Sequence, residues 1–192
     1  MNWANRLTVA RLYLTLAFVA VLNSPQWRFS ATTALALFLV AGVTDYLDGE
    51  VARRFGMQSD FGRLMDPLVD KIMMAAVFIC LVELHKIPAW VVIAIISREF
   101  LITGLRLLAA AKGKVLPAER LGKHKTAWQI VTAIFFLALL SAPEIAPGLR
   151  GESWWVPLNH FGGNALLACA LVLTLYSGFG YLWKHRVLIE AR

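Results

Sequence analysis

A chain of 192 residues with 59% hydrophobic content and a mean hydropathy of +0.64 is too apolar for an ordinary soluble domain, so a membrane setting is the first expectation. The formal net charge of +7 does not point to nucleic acid, because the basic residues recur at the ends of apolar runs and form no continuous tract. That placement suits anionic lipid headgroups or anionic substrates.

A membrane helix needs about 20 mostly apolar residues. Six runs read this way, in chain order: 8–23, 31–43 continuing into a charged stretch, 67–84, 87–111, 125–140 and 162–183. The opening run has basic residues before a short apolar core, as a signal peptide has. No small-x-small cleavage site follows and further spans come after it, so it reads as an anchored first helix. Cys80 and Cys169 each lie inside an apolar run, far from a CxxC spacing, and read as packing residues. The stretches between runs carry turn residues and tryptophans, among them Trp154 and Trp155, which suit interfacial anchors. The four histidines, His85, His124, His160 and His185, show no ligand spacing and read as interfacial.

Six helices put both termini on one side. Arg6, Arg11, Arg53, Arg54, Arg63, Lys112, Lys114, Arg120, Lys123, Lys125, Lys184, Arg186 and Arg192 gather on that face, and the opposite face holds Arg28, Lys86 and Arg150. The positive-inside rule then makes the termini cytoplasmic, together with the link between the second and third helices. No repeat or linker divides the chain, so residues 1–192 read as a single all-α membrane domain.

Carboxylates interrupt the oil between the second and third runs. Asp45 and Asp48 are three apart and Asp66 and Asp70 four apart, which on helices places each pair on one face. Four like charges near a bilayer would repel one another and lose hydration, a conflict that divalent cations remove. All-oxygen ligation selects Mg²⁺ or Mn²⁺ over Zn²⁺, and two such ions balance four carboxylates while leaving positions for phosphate oxygens. A cytoplasm-facing metal site between the second and third helices is therefore expected. Gly49, Ala52 and Gly62 permit close approach of a flat group or a neighbouring helix, and Arg53 beside them can pair with phosphate.

The order D-x2-D-G-x2-A-R-x8-G-x3-D-x3-D, met by Asp45, Asp48, Gly49, Ala52, Arg53, Gly62, Asp66 and Asp70, resembles the signature of the CDP-alcohol phosphotransferases. The resemblance implies a six-helix membrane enzyme, commonly a homodimer, that transfers a phosphatidyl-type group from a CDP-linked lipid to an alcohol and releases CMP. It implies that Asp45, Asp48, Asp66 and Asp70 hold metal, that Asp70 is the general base, and that Gly49, Ala52, Arg53 and Gly62 meet the cytidine and pyrophosphate. The stretch NRLTVARL, with Asn5, Leu7, Thr8 and Arg11, is similar to the family's N-terminal motif, and Thr8 joins the nucleotide contacts by that likeness. SREFLITGLR and LGKHKTAWQ are similar to the branch that makes phosphatidylglycerol phosphate from CDP-diacylglycerol and glycerol 3-phosphate.

A dianionic acceptor phosphate calls for cations, and Arg106, Lys123 and Lys125 are the expected ones. Arg98 and Glu99 lie deeper, where unpaired charge is costly, and are expected to pair with polar partners inside the bundle. Two other classes remain open. An aspartate-rich membrane prenyltransferase spaces its two motifs more widely than positions 45 to 70. A divalent-cation transporter leaves Gly49, Ala52 and Arg53 without a purpose. Within the family, inositol phosphate or serine are the competing acceptors.

Overall fold

In a computed structural model the described residues are 3–24, 26–55, 60–111, 113 and 120–186 for the backbone, with side chains described outside 3–7, 45–64, 66–67 and 120–123. Among them there are six long helices and no strand. They are α1 (Trp3–Leu22), α2 (Ser30–Phe55), α3 (Asp60–Glu83), α4 (Ala89–Ala111), α5 (Arg120–Ile145) and α6 (Trp155–Lys184), the last with a π-helical turn at Leu158–Gly162. Each expected run is a helix, but α1, α2, α3 and α5 overrun their apolar stretches at one end of the bundle, and α5 and α6 overrun theirs at the other end as well. A helix satisfies its own backbone groups whatever its side chains, so it continues into polar residues where hydropathy stops marking it. The added turns carry the signature.

The core joins all six helices. Phe18 of α1 and Phe38 of α2 meet with ring centroids 6.5 Å apart, and Val77, Phe78 and Leu81 of α3, Ile95 of α4, Leu137 of α5 and Leu167 of α6 close around them. Ala34 and Ala133 are fully buried, and such small side chains let α2 and α5 approach closely. α1 packs against both α2 and α3 and bridges them. α6 packs on α5 and α4.

The exterior is also apolar. Tyr13, Leu16, Val40, Ile79, Ile93, Val172 and Phe179 are each more than half exposed, a surface that suits acyl chains better than water. His124–Ile145 and Trp155–Lys184 are long and apolar enough to cross a membrane, and Thr8–Leu22 and Ser30–Thr44 are shorter apolar segments. Buried hydroxyls turn inward on their own helices: Thr15, Thr132 and Thr174 each donate to the carbonyl four residues back.

Two packing expectations need correction. Cys80 is buried in the core, but Cys169 lies exposed on α6, because its helical position turns it outward. Trp154 is half exposed as an anchor would be, whereas Trp155 is buried and plugs the start of α6.

A carboxylate from another helix caps α2. Glu144, near the end of α5, accepts from the backbone N–H of Ala31 at 2.9 Å and of Thr32 at 2.8 Å, and from the Thr32 hydroxyl at 2.7 Å. Negative charge there also complements the positive end of the α2 dipole. Glu144→Ala is expected to cost about 2 kcal/mol, since charge-assisted bonds to orphan N–H groups are lost. For a chain of this size that corresponds to a melting midpoint lower by roughly 4–8 °C, read by thermal denaturation in detergent.

Candidate active site

The backbone places Asp45, Asp48, Gly49, Ala52 and Arg53 in the last turns of α2, and Gly62, Asp66 and Asp70 in the first turns of α3. The helical spacing of both aspartate pairs therefore holds. The side chains of Asp45, Asp48, Arg53, Asp66 and Lys123, and the surroundings of Gly49, Ala52 and Gly62, lie outside those described. Asp70 is the signature carboxylate whose surroundings are visible.

Asp70 is half exposed, and Arg11 of α1 donates from Nη1 to its Oδ1 at 2.5 Å. Arg11 itself is 2% exposed, and Thr8, one turn earlier on α1, is 3% exposed. A guanidinium so buried needs a charged partner, because desolvating it alone costs several kcal/mol. The bridge between α1 and α3 thus ends in an ion pair that fixes where the Asp70 carboxylate stands. Residue order sets Arg11 in the N-terminal motif and among the cations of the terminal face, but not beside Asp70, which is 59 positions away.

Beside Asp70 opens a cavity of about 210 Å³ between α3, α4 and α5. Asp70, Lys71, Glu99, Thr126 and Gln129 make its polar side, and Met74, Phe78, Ile95 and Phe100 its apolar side. Lys71 is a site residue that the sequence reading missed, although it directly follows the last aspartate of the signature.

Behind the cavity Glu99 accepts salt bridges from Arg98, at 3.2 Å, and from Lys125. Arg98 also donates to the Ser177 hydroxyl at 3.0 Å, and its stem packs so tightly on Gly178 that a Cβ there would sit 2.7 Å from Arg98 Cγ. Arg98 and Glu99 therefore pair inside the bundle as expected. Lys125 is 4% exposed and holds Glu99, while Arg106 donates to the Tyr181 hydroxyl at 3.2 Å and lies over its ring at 5.3 Å. Arg106, partly exposed, and Lys125 both stand with α6 partners or their neighbours, and Lys71, Arg98 and Lys125 act on one another electrostatically. Among the described residues Lys71 on the cavity lining, with Arg98 and Lys125 behind it, sets positive charge near Asp70, which suits an anionic ligand.

The sequence profile described as CDP-alcohol phosphatidyltransferase matches residues 1–176, and the chain belongs to that family. It is 39% identical to a protein named CDP-diacylglycerol--glycerol-3-phosphate 3-phosphatidyltransferase from Bacillus subtilis (strain 168), over 74% of this chain and 79% of that one. A protein of the same name from Treponema pallidum (strain Nichols) is 35% identical over 95% of this chain and 88% of that one. A probable phosphatidylglycerophosphate synthase of Mycobacterium tuberculosis (strain ATCC 25618 / H37Rv) is 34% identical, covering 94% and 80% respectively.

Glu99→Gln removes the carboxylate from a buried Lys125 and is expected to destabilise the protein by about 3 kcal/mol. Adding Lys125→Met should recover part of that loss. A double-mutant cycle on the melting midpoint measures the coupling.

Proposed function

We propose that the chain transfers the phosphatidyl group of CDP-diacylglycerol to sn-glycerol 3-phosphate, giving phosphatidylglycerol phosphate and CMP. The observation that carries this reading is the Asp70 carboxylate, held by Arg11 beside a cavity that Lys71 also lines, inside the signature of the family. The names of the relatives supply the donor and acceptor.

The donor set fits a hard divalent cation. Asp45 and Asp48 share one face of α2, Asp66 and Asp70 share one face of α3, and all offer oxygen. Asp45, Asp48, Asp66 and Asp70 would hold Mg²⁺ or Mn²⁺, in a two-ion set. Bound there, the metal supplies positive charge against the pyrophosphate of the donor.

The chain's own groups do the rest. Thr8, Gly49, Ala52, Arg53 and Gly62 receive the cytidine and pyrophosphate, and Arg106, Lys123 and Lys125 the acceptor phosphate. Asp70 takes the proton from the acceptor hydroxyl as its oxygen attacks the phosphorus that bears diacylglycerol. The new P–O bond forms as the pyrophosphate P–O bond breaks, and CMP departs with the electron pair. No covalent enzyme intermediate is required.

The whole chain, 1–192, works as one multi-pass domain of six spans in the cytoplasmic (inner) membrane. The apolar exterior supports this, and the positive-inside rule, applied to the cation-rich end, supports a cytoplasmic face for both termini and the site. The chain acts as a homodimer in the bilayer and engages no nucleic acid.

Detergent-purified protein with CDP-diacylglycerol and Mg²⁺ should release CMP with glycerol 3-phosphate and not with inositol phosphate or serine. Asp70→Asn should lower turnover by about 100-fold or more. Arg106→Ala should raise the KM for glycerol 3-phosphate about tenfold and leave that for CDP-diacylglycerol unchanged. Release with serine instead would discard the cationic acceptor pocket, and no release with any acceptor would return a divalent-cation transporter to contention.

A further inference from the structure

At the far end of the bundle, about 20 Å along α3 from Asp70, lies a second cavity of about 420 Å³. Its wall is Phe136, Leu139 and Leu140 of α5 with Trp155 of α6, and its rim carries Lys86, Arg150, His85 and His160. A neighbouring cavity of about 300 Å³ shares Pro143 and Arg150 and adds Arg28.

This grouping is not what scattered interfacial cations would give. Arg28, Lys86 and Arg150 are the only Lys and Arg residues in the three connections at this end, 23–29, 84–88 and 146–154, and all three line one or other cavity. They come from three separate links of the chain. Glu144 lines the smaller cavity, but its oxygens are occupied by the N-terminus of α2.

Two unusual backbone features shape the same place. α3 ends in a Schellman closure, with Lys86 N–H donating to Leu81 C=O and His85 N–H to Val82 C=O, both at 2.9 Å. His85, at φ 54°, occupies the left-handed position that glycine usually fills. The π-helical turn Leu158–Gly162 presents Asn159 and His160 from the opposite side, and such turns are frequent at functional sites. Both deviations bring polar side chains to the rim of an apolar hollow.

We propose that this hollow binds an anionic glycerophospholipid, with its phosphodiester against Lys86 and Arg150 and an acyl chain along Phe136, Leu139 and Leu140. The cations match the headgroup charge. The apolar wall favours a lipid over a free anion, and it continues into exposed Val156 and Phe161, each more than half exposed. The volume falls within the range of about 300–1,000 Å³ usual for ligand sites. The site lies apart from the aspartate end and is not required for group transfer.

Native mass spectrometry of the detergent-purified full chain, titrated with phosphatidylglycerol or phosphatidylcholine, tests it. Wild type should retain the anionic lipid and not the zwitterionic one. Lys86→Ala with Arg150→Ala should weaken retention about twenty-fivefold, at roughly fivefold for each cation, while CMP release stays at the wild-type level. Lys86→Arg with Arg150→Lys keeps the charge and should retain lipid, which separates loss of binding from loss of fold. Equal retention of both lipids by wild type, or undiminished phosphatidylglycerol retention in the alanine variant, would overturn the assignment. So would competition by inorganic phosphate at the lipid's own concentration, since the apolar wall would then contribute nothing.

Discussion

A charge inside an apolar bundle must be answered by another, and the arrangement of α1, α3, α4, α5 and α6 follows from that requirement. Arg11 is buried and meets Asp70; Lys125 is buried and meets Glu99; Glu99 also meets Arg98, whose other hand holds Ser177. Arg98 and Glu99 are neighbours on α4, but Arg11–Asp70, Lys125–Glu99 and Arg98–Ser177 each join two helices, so satisfying the charges also helps set which helices meet. Hydrophobic burial alone could not do this in a bilayer, where lipid tails are as apolar as the core.

The same requirement explains how a carboxylate becomes usable chemistry. Asp70 stands half exposed at a cavity mouth and is held from behind by a guanidinium that has no room to move away. A side chain fixed in this way loses little freedom when it begins to act, which is where positioned groups gain their advantage. The α5 carboxylate Glu144 performs a related service at the other end of the bundle by anchoring the start of α2, the helix whose last turns carry Asp45 and Asp48.

Much of this was legible from residue order because a helix converts spacing into faces. Asp45 with Asp48, and Asp66 with Asp70, fall on helical backbone as their spacing requires, and the apolar runs locate six helices. Spacing cannot reveal which helices touch. The insertion of α1 between α2 and α3 depends on packing, so the Arg11 partnership was hidden although Arg11 lay in a quoted motif. Lys125 reads as an acceptor-phosphate residue from its place in the chain, and that its ammonium also meets Glu99 of α4 shows only in the folded bundle. The left-handed conformation of His85 left no trace, for no glycine marks it, and Pro157 with Gly162 and Gly163 made the π-helical turn read as a connection.

The proposal that the signature turns of α2 and α3 form one hard-cation site is open to direct test. Equilibrium Mn²⁺ binding to the purified protein, followed by electron paramagnetic resonance, measures it without recourse to turnover. Mn²⁺ should bind to the wild-type chain and be lost in Asp48→Asn and in Asp70→Asn alike, although the two residues lie on different helices. Undiminished Mn²⁺ binding in both variants would contradict a shared site.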